Sequence, residues 1–240
     1  MTPPAFRLLT WDTAFFGFPI ARITDAGPGG RGLGTAVAGC RTAGVRCAYL
    51  LCGIDESGTV VEAIRNGFRP VDVRVTLRTR VAAPAPAPGP SGARDAREGD
   101  LPELRTLARS SFRDSRFFVD GKFAAAKAED LFQIWVERDL ESGSVVVSEH
   151  AGQVAGFATA RVDEGEGVIG LVSVLPASRG RGVGRMVVSA LIEKLAGRVE
   201  RARVVTQARN VGAIGLYEGL GFRTASLETW LHWWADENPV

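Results

Sequence analysis

Val172-Ser-Val-Leu-Pro-Ala-Ser-Arg-Gly-Arg-Gly-Val-Gly184 and Asn210-Val-Gly-Ala-Ile-Gly-Leu-Tyr-Glu-Gly-Leu-Gly-Phe222 decide the reading of this chain. Val168 to Val174 is short, apolar and β-branched, and Pro176 stops it, so a strand is predicted to end there. From Val183 the apolar residues recur at Val183, Met186, Val187, Ala190 and Leu191, which is helical spacing. Between strand and helix stand Gly180, Gly182 and Gly184, where the backbone can approach an anion closely. The free N–H groups of the first helical turn and the helix dipole favour that anion, and Arg179, Arg181 and Arg185 add positive charge.

A glycine-rich turn of this kind has several readings. It lacks the Lys-Ser/Thr end of a nucleotide-triphosphate loop. A dinucleotide Gly-x-Gly-x-x-Gly fails because Arg185 stands at the third glycine. The spacing that holds is Arg179-x-x-Gly182-x-Gly184. After Val-x-Pro, this resembles the acetyl-CoA-binding signature of the GCN5-related N-acetyltransferase (GNAT) family. The second stretch resembles that family's later motif, Asn-x-x-Ala-x-x-Leu-Tyr-Glu-x-Leu-Gly-Phe, with every named letter present. A strand-like Arg203-Val-Val-Thr206 separates the two motifs, in the family's order.

The resemblance implies an α/β GNAT fold, a central mixed, mostly antiparallel sheet flanked by helices. It implies acetyl-CoA as co-substrate and no metal. Val172, Ser173 and Val174 would lie on a strand splayed from its neighbour, facing the pantetheine arm. Arg179, Gly180, Arg181, Gly182, Val183, Gly184 and Arg185 would cradle the pyrophosphate, with Asn210 facing the cofactor. Tyr217 would be the general acid that protonates the departing thiolate; its reference pKa of about 10 lies above that of a thiol. Backbone N–H groups of the splayed strand would stabilise the oxygen on which charge develops. No general base is identified. Asp163, Glu164 and Glu166 read as solvated carboxylates at a hairpin tip, and neither His150 nor His232 has a recognisable partner in sequence.

The rest of the chain bounds these expectations. Its 240 residues carry 45% hydrophobic and 23% charged residues and a formal net charge of +2, which gives no argument for nucleic acid. No apolar run reaches the roughly 18 residues of a membrane span. The N-terminus does not read as a signal peptide. Cys40, Cys47 and Cys52 are odd in number, lack a metal-ligand pattern and fit a reducing compartment, so a cytoplasmic protein is expected.

Residues 81–93 hold four of the twelve prolines and read as an extended linker. The domains are therefore expected at 1–80, a smaller N-terminal α/β lobe, and at 94–240, the acetyltransferase domain. In the second, Asp100 is the expected N-cap of a helix with Pro102 in its first turn. A further helix carries Ala124, Ala128, Leu131, Phe132 and Trp135, and strands follow at 144–148 and 153–162. The first lobe holds an echo. Gly30-Arg-Gly-Leu-Gly34 resembles Gly180-Arg-Gly-Val-Gly184, and Asn66-Gly-Phe-Arg69 resembles Leu220-Gly-Phe-Arg223, but Gly29 replaces Arg179 and Ala63 replaces Tyr217. This is a degenerate partial repeat without catalysis of its own, or a coincidence in a Gly- and Arg-rich chain.

Two further stretches bear on the acceptor. Trp11-Asp-Thr-Ala-Phe-Phe-Gly17 and Arg116-Phe-Phe-Val-Asp120 resemble segments of the nucleotide-amino-sugar N-acetyltransferases of this family, over nearly the full length. The implied acceptor is a small-molecule amine on a nucleotide sugar of the dTDP-4-amino-4,6-dideoxyhexose type, acetylated by direct attack. Arg116 could meet a phosphate or a sugar hydroxyl, Asp120 could orient the amine, and Phe117 or Phe118 could stack on a sugar or base. Against that, Trp11, Phe15 and Phe16 also read as core of the first lobe, and Asp12 as the cap of a turn. Another small amine such as an aminoglycoside or polyamine, a protein terminus, or an acyl-CoA sensor without turnover are the other readings; the donor's acyl length is open. The tail Thr229-Trp-Leu-His-Trp-Trp234 alternates like a strand that closes its own lobe's sheet or pairs across a homodimer, and family resemblance leans to the dimer.

Overall fold

A computed structural model describes residues 5–82 and 92–236. The elements in chain order are β1 (Phe6–Leu8), α1 (Thr10–Phe16), β2 (Ile20–Ile23), α2 (Leu33–Thr42), β3 (Cys47–Gly53), α3 (Ser57–Arg65) and β4 (Phe68–Arg80). There follow β5 (Ala93–Asp95), α4 (Leu101–Ser110), α5 (Arg116–Val119), α6 (Ala125–Glu141), β6 (Val145–His150), β7 (Gln153–Asp163) and β8 (Glu166–Val174). The chain ends with α7 (Val183–Leu195), β9 (Arg201–Gln207), α8 (Val211–Glu218) and β10 (Arg223–Trp234).

Two compact units emerge. The first is drawn from Met1–Arg74, Ser115–Lys127 and Ser226–Val240, the second from Val75–Asp114 and Ala128–Ala225. This division differs from the expected 1–80 and 94–240. The reason is strand pairing: from Glu228 to Trp234, β10 pairs antiparallel with β3 over Gly53 to Cys47, inside the first unit. The tail is thus a strand, as expected, and its observed partner from Glu228 to Trp234 is β3. Of the expected linker, 83–91 lie outside the described residues. At its margins, the Val81 N–H donates to the Glu200 carbonyl at 2.9 Å, and Ala93 already begins β5.

The second unit is a mixed, mostly antiparallel sheet flanked by helices. Strands β5 to β8 pair antiparallel in sequence, and β8 then pairs parallel with β9. Neighbouring residues of a strand point to opposite faces. Val174 meets the start of α7 at Gly184, where an added methyl would lie 3.1 Å from Leu216 and 3.6 Å from Val174. Its neighbour Ser173 turns the other way and hydrogen-bonds Ser111, just past α4, at 2.6 Å. Helices α7 and α4 thus cover opposite faces. Asp100 precedes α4 as expected, but its carboxylate accepts from the Arg97 N–H at 2.7 Å and pairs with Arg94 instead of capping α4. On α6 the buried side chains are Ala128, Leu131, Phe132 and Val136, so the buried face is one residue off the expected Trp135, and Ala124 lies outside the helix.

In the first unit, one face of β2, β3 and the end of β10 supplies Ala21, Ile23, Ala48, Leu50, Cys52, Leu231 and Trp233 to a core closed by α2 and α3. The opposite face carries Arg22, Tyr49, Glu228, Trp230, His232 and Trp234, as the registers require. Of the aromatics in α1, Phe16 is buried whereas Trp11 is 48% exposed, stacked on Phe15 at 5.0 Å.

The sequence echo has a structural counterpart. Strand, 3₁₀ turn, helix, strand, helix, strand occurs from β2 to β4 and again from β8 to β10, and in both the first two strands pair parallel. The turns differ in one physical respect. Gly30 is buried, and a methyl there would lie 2.9 Å from the Glu62 side chain and 3.1 Å from the Thr59 backbone. Helix α3 therefore fills the space over the first turn, while nothing lies within 4 Å of a methyl built at Gly180 or Gly182.

Candidate active site

In the second unit, the turn before α7, expected from sequence to cradle a pyrophosphate, is open. Gly180 (φ 74°) and Gly182 (φ 81°) are left-handed and exposed, conformations that a side chain would strain. Gly182 is the residue before α7, so the helix's first N–H groups emerge at this turn. Arg181 is exposed beside them. The other two arginines have structural partners: Arg179 Nε donates to the Val174 carbonyl at 3.4 Å, and Arg185 Nη1 to the Gly219 carbonyl at 2.9 Å. Arg185 thereby ties α7 to the end of α8, a tether that its place in the motif does not reveal.

Strands β8 and β9 pair only from Gly167↔Ala202 to Ile169↔Val204, although β8 continues to Val174 and β9 to Gln207. Val172, Ser173 and Val174 therefore retain partners on β7 but have none on β9. This divergence leaves the β9-facing edge of β8 able to offer backbone groups to a ligand. Asn210 is the N-cap of α8, its Oδ1 accepting from the Ala213 N–H at 3.2 Å. Its amide nitrogen and a second carbonyl lone pair remain for a ligand.

Tyr217 is 4% exposed near the end of α8, its ring 5.9 Å from that of Phe222. Burial raises its hydroxyl above the usual phenol range. The group is therefore protonated throughout neutral pH. At neutral pH Tyr217 thus retains the proton that it is expected from sequence to donate.

The hairpin carboxylates are ion-paired rather than merely solvated. Asp163 and Glu166 meet Arg203 at 2.9 and 3.2 Å, and Glu166 also meets Arg78 at 3.1 Å. These ion pairs flank the turn, where Glu164 and Gly165 have positive φ.

The second group of polar residues lies in the first unit. His232, fully buried, donates from Nδ1 to Asp120 Oδ2 and accepts at Nε2 from Arg116 Nη1 at 2.8 Å. Burial pulls its imidazole pKa down to about 4, Asp120 opposing and Arg116 adding to the fall, which fixes the neutral tautomer. The same Asp120 oxygen accepts from Trp234 Nε1 at 3.1 Å, and Arg69 faces the other oxygen at 3.5 Å. Asp120's side chain is fully buried. It therefore holds His232 and Trp234 and is not free to orient an acceptor amine as expected. Phe117 is likewise packed, against Phe16 and Phe123 at 5.4 and 5.3 Å, rather than presented for stacking.

Arg116 is half-buried, its guanidinium over the rings of Tyr49, Phe117 and Trp230 at 4.2, 4.3 and 4.3 Å. Among the described residues no carboxylate comes within 4 Å of it. Asp12, on α1, is the carboxylate whose charge it feels; burial raises Asp12's pKa and Arg116 opposes the rise. His232 and Trp230 were missed in sequence because their partners lie more than a hundred residues away. The available signal was the alternation Glu228-x-Trp230-x-His232-x-Trp234, which puts all four on one face of a strand.

Residues 101–222 match the model of the acetyltransferase (GNAT) family, and the chain belongs to that family. Proteins of the family use acetyl-CoA, and the open turn and diverging strands fit such a ligand. The chain is 28% identical over 232 residues to dTDP-fucosamine acetyltransferase of Escherichia coli O6:H1, covering 93% of this chain and 96% of that protein. It is 32% identical over 141 residues to the spore coat polysaccharide biosynthesis protein SpsD of Bacillus subtilis, covering 57% of this chain and only 48% of that one. Among solved structures, a GCN5-related N-acetyltransferase from Sphaerobacter thermophilus shares the fold, with a TM-score of 0.65 at 16% identity, over 95% of this chain and 75% of that one. The chain is thus an acetyltransferase of the GNAT family.

Proposed function

We propose that the chain moves an acetyl group from acetyl-CoA to the amine of a nucleotide-linked amino sugar of the dTDP-4-amino-4,6-dideoxyhexose type, by direct attack. The observation that carries this acceptor class is Arg116. A guanidinium caged by three aromatic rings and lacking a carboxylate partner among the described residues suits an anionic acceptor. It is poorly suited to a polycationic aminoglycoside or polyamine, which calls for an acidic site. The full-length likeness to a protein named for dTDP-fucosamine supports the same reading.

Acetyl-CoA supplies an activated thioester carbonyl. The exposed turn at Gly180 to Gly182 and Arg181 would hold its diphosphate, and the edge of β8 from Val172 to Val174 its pantetheine arm. Backbone N–H groups on that edge stabilise negative charge on the carbonyl oxygen during attack. Tyr217 then offers its retained proton to the sulfur. The attacking amine sheds its own proton to water. The three free cysteines fit a cytoplasmic setting.

Incubation with acetyl-CoA and a dTDP-linked 4-amino sugar should yield the N-acetylated nucleotide sugar, identified by mass spectrometry and by the amide proton in NMR. Acetylation of polyamines or aminoglycosides with none of the nucleotide sugar would refute the acceptor class.

A further inference from the structure

The geometry points to Arg22 and Arg116, both over Trp230, and Arg7, directly across from Arg22, as the site that binds the diphosphate of the acceptor, with Asp120 and His232 as positioning residues. This rests on the acceptor class proposed above and adds which residues read it. In the β1–β2 register Arg7 stands directly opposite Arg22, and Arg22 stands beside Tyr49 on β3. Like charges directly across antiparallel strands repel each other. The arrangement therefore has a standing cost that an anion would relieve.

Trp230 collects the cations. Arg116 sits 4.3 Å and Arg22 5.3 Å from its ring centre. Arg74 approaches from β4, paired with Glu228 at 3.6 Å. Among the described residues, Arg74 is the one of these four guanidinium groups with a carboxylate within 4 Å; Asp12 and, through His232, Asp120 act on Arg116 from further away. Burial lowers the pKa of Arg22, and repulsion from Arg74 and Arg7 lowers it further, with Glu228 opposing. Arg7, Arg22 and Arg116, with no carboxylate within 4 Å among the described residues, present forked donors suited to bridging phosphate oxygens.

The three rings confine Arg116, and a polar partner sets the direction of its N–H groups. His232 accepts from its Nη1, and Asp120 fixes His232 in the tautomer able to accept. The pair thus act through Arg116, aiming it rather than touching the ligand.

Titration calorimetry with dTDP, inorganic pyrophosphate and CoA separates the possible sources of anion. In the wild type dTDP should bind, and saturating CoA should leave that binding unchanged. Arg22→Gln should weaken dTDP at least tenfold. Arg7→Gln should weaken it severalfold while raising the melting temperature of the free protein, because it removes the Arg7–Arg22 repulsion. Arg65→Gln, a loss of charge elsewhere in the unit, should change neither quantity. Pyrophosphate should compete with dTDP in the wild type and bind more weakly in Arg22→Gln. Displacement of dTDP by CoA would place the anion in the donor site and overturn the inference. So would acetylation of the nucleotide sugar by Arg22→Gln and Arg7→Gln with an unchanged KM, although the acceptor class would then stand. Absence of both dTDP binding and nucleotide-sugar turnover would remove the acceptor class, and this site with it.

Discussion

Replacing His232 with Asn removes the only titratable group in the link between Asp120 and Arg116 that burial keeps neutral. An asparagine amide retains a donor towards Asp120. In the native protein the imidazole protonates only near pH 4, whereas an unfolded chain takes up the proton near about 6.5. As pH falls from about 6.5 to 4, the unfolded state gains a proton that the native state refuses, so this contribution to stability is complete above about 6.5 and declines below it. The gap of about 2.5 pH units corresponds to about 3 kcal/mol at 1.36 kcal/mol per unit. The assay is urea unfolding followed by tryptophan fluorescence. Four of the five tryptophans, Trp11, Trp230, Trp233 and Trp234, belong to the first unit, so the signal reports mainly on it. The stability difference between wild type and His232→Asn should shrink by about 3 kcal/mol between pH 7.5 and 4. A difference that stays constant over that range would refute a neutral, buried His232.

Other outcomes follow from the two sets of residues. Tyr217→Phe keeps the ring and removes the proton; steady-state kinetics should show kcat lower by about 10²–10³-fold, with the KM for acetyl-CoA little changed. Gly182→Ala forces a left-handed alanine at about 1–2 kcal/mol. Its melting temperature should fall by several degrees, and CoA should bind more weakly by calorimetry. Asp120→Asn strips a buried carboxylate from His232, Trp234 and Arg69, at about 3–5 kcal/mol by analogy with broken buried pairs. Where the variant remains folded, the KM for the acceptor should rise far more than that for acetyl-CoA, because Arg116 loses its aim.

The parts of this fold legible in sequence are those whose signals are local. The end of β8, the start of α7 and the Ala151-Gly152 turn between β6 and β7 follow from β-branched runs, helical spacing and glycine, and the structure has them close to the expected places. The order of the two motifs carried the family. The tail was legible as a strand but not in its partner, because alternation fixes which residues share a face and says nothing of which edge they join. For the same reason Asp120, read in sequence as an acid that could orient an amine, gives no sign there that it is the buried acceptor for His232 and Trp234. Arg185 and Asn210 show the converse: both lie in the motif, yet each has a local hydrogen bond that holds the second unit together.

The central claim is that the nucleotide portion is what recommends an amine to this enzyme. Thiol release from acetyl-CoA with one 4-amino-4,6-dideoxy sugar, compared free and dTDP-linked, tests it most directly. The account predicts a kcat/KM at least a hundredfold higher for the dTDP-linked form, with Arg22→Gln removing most of that advantage. Equal kcat/KM values for the two forms would contradict it.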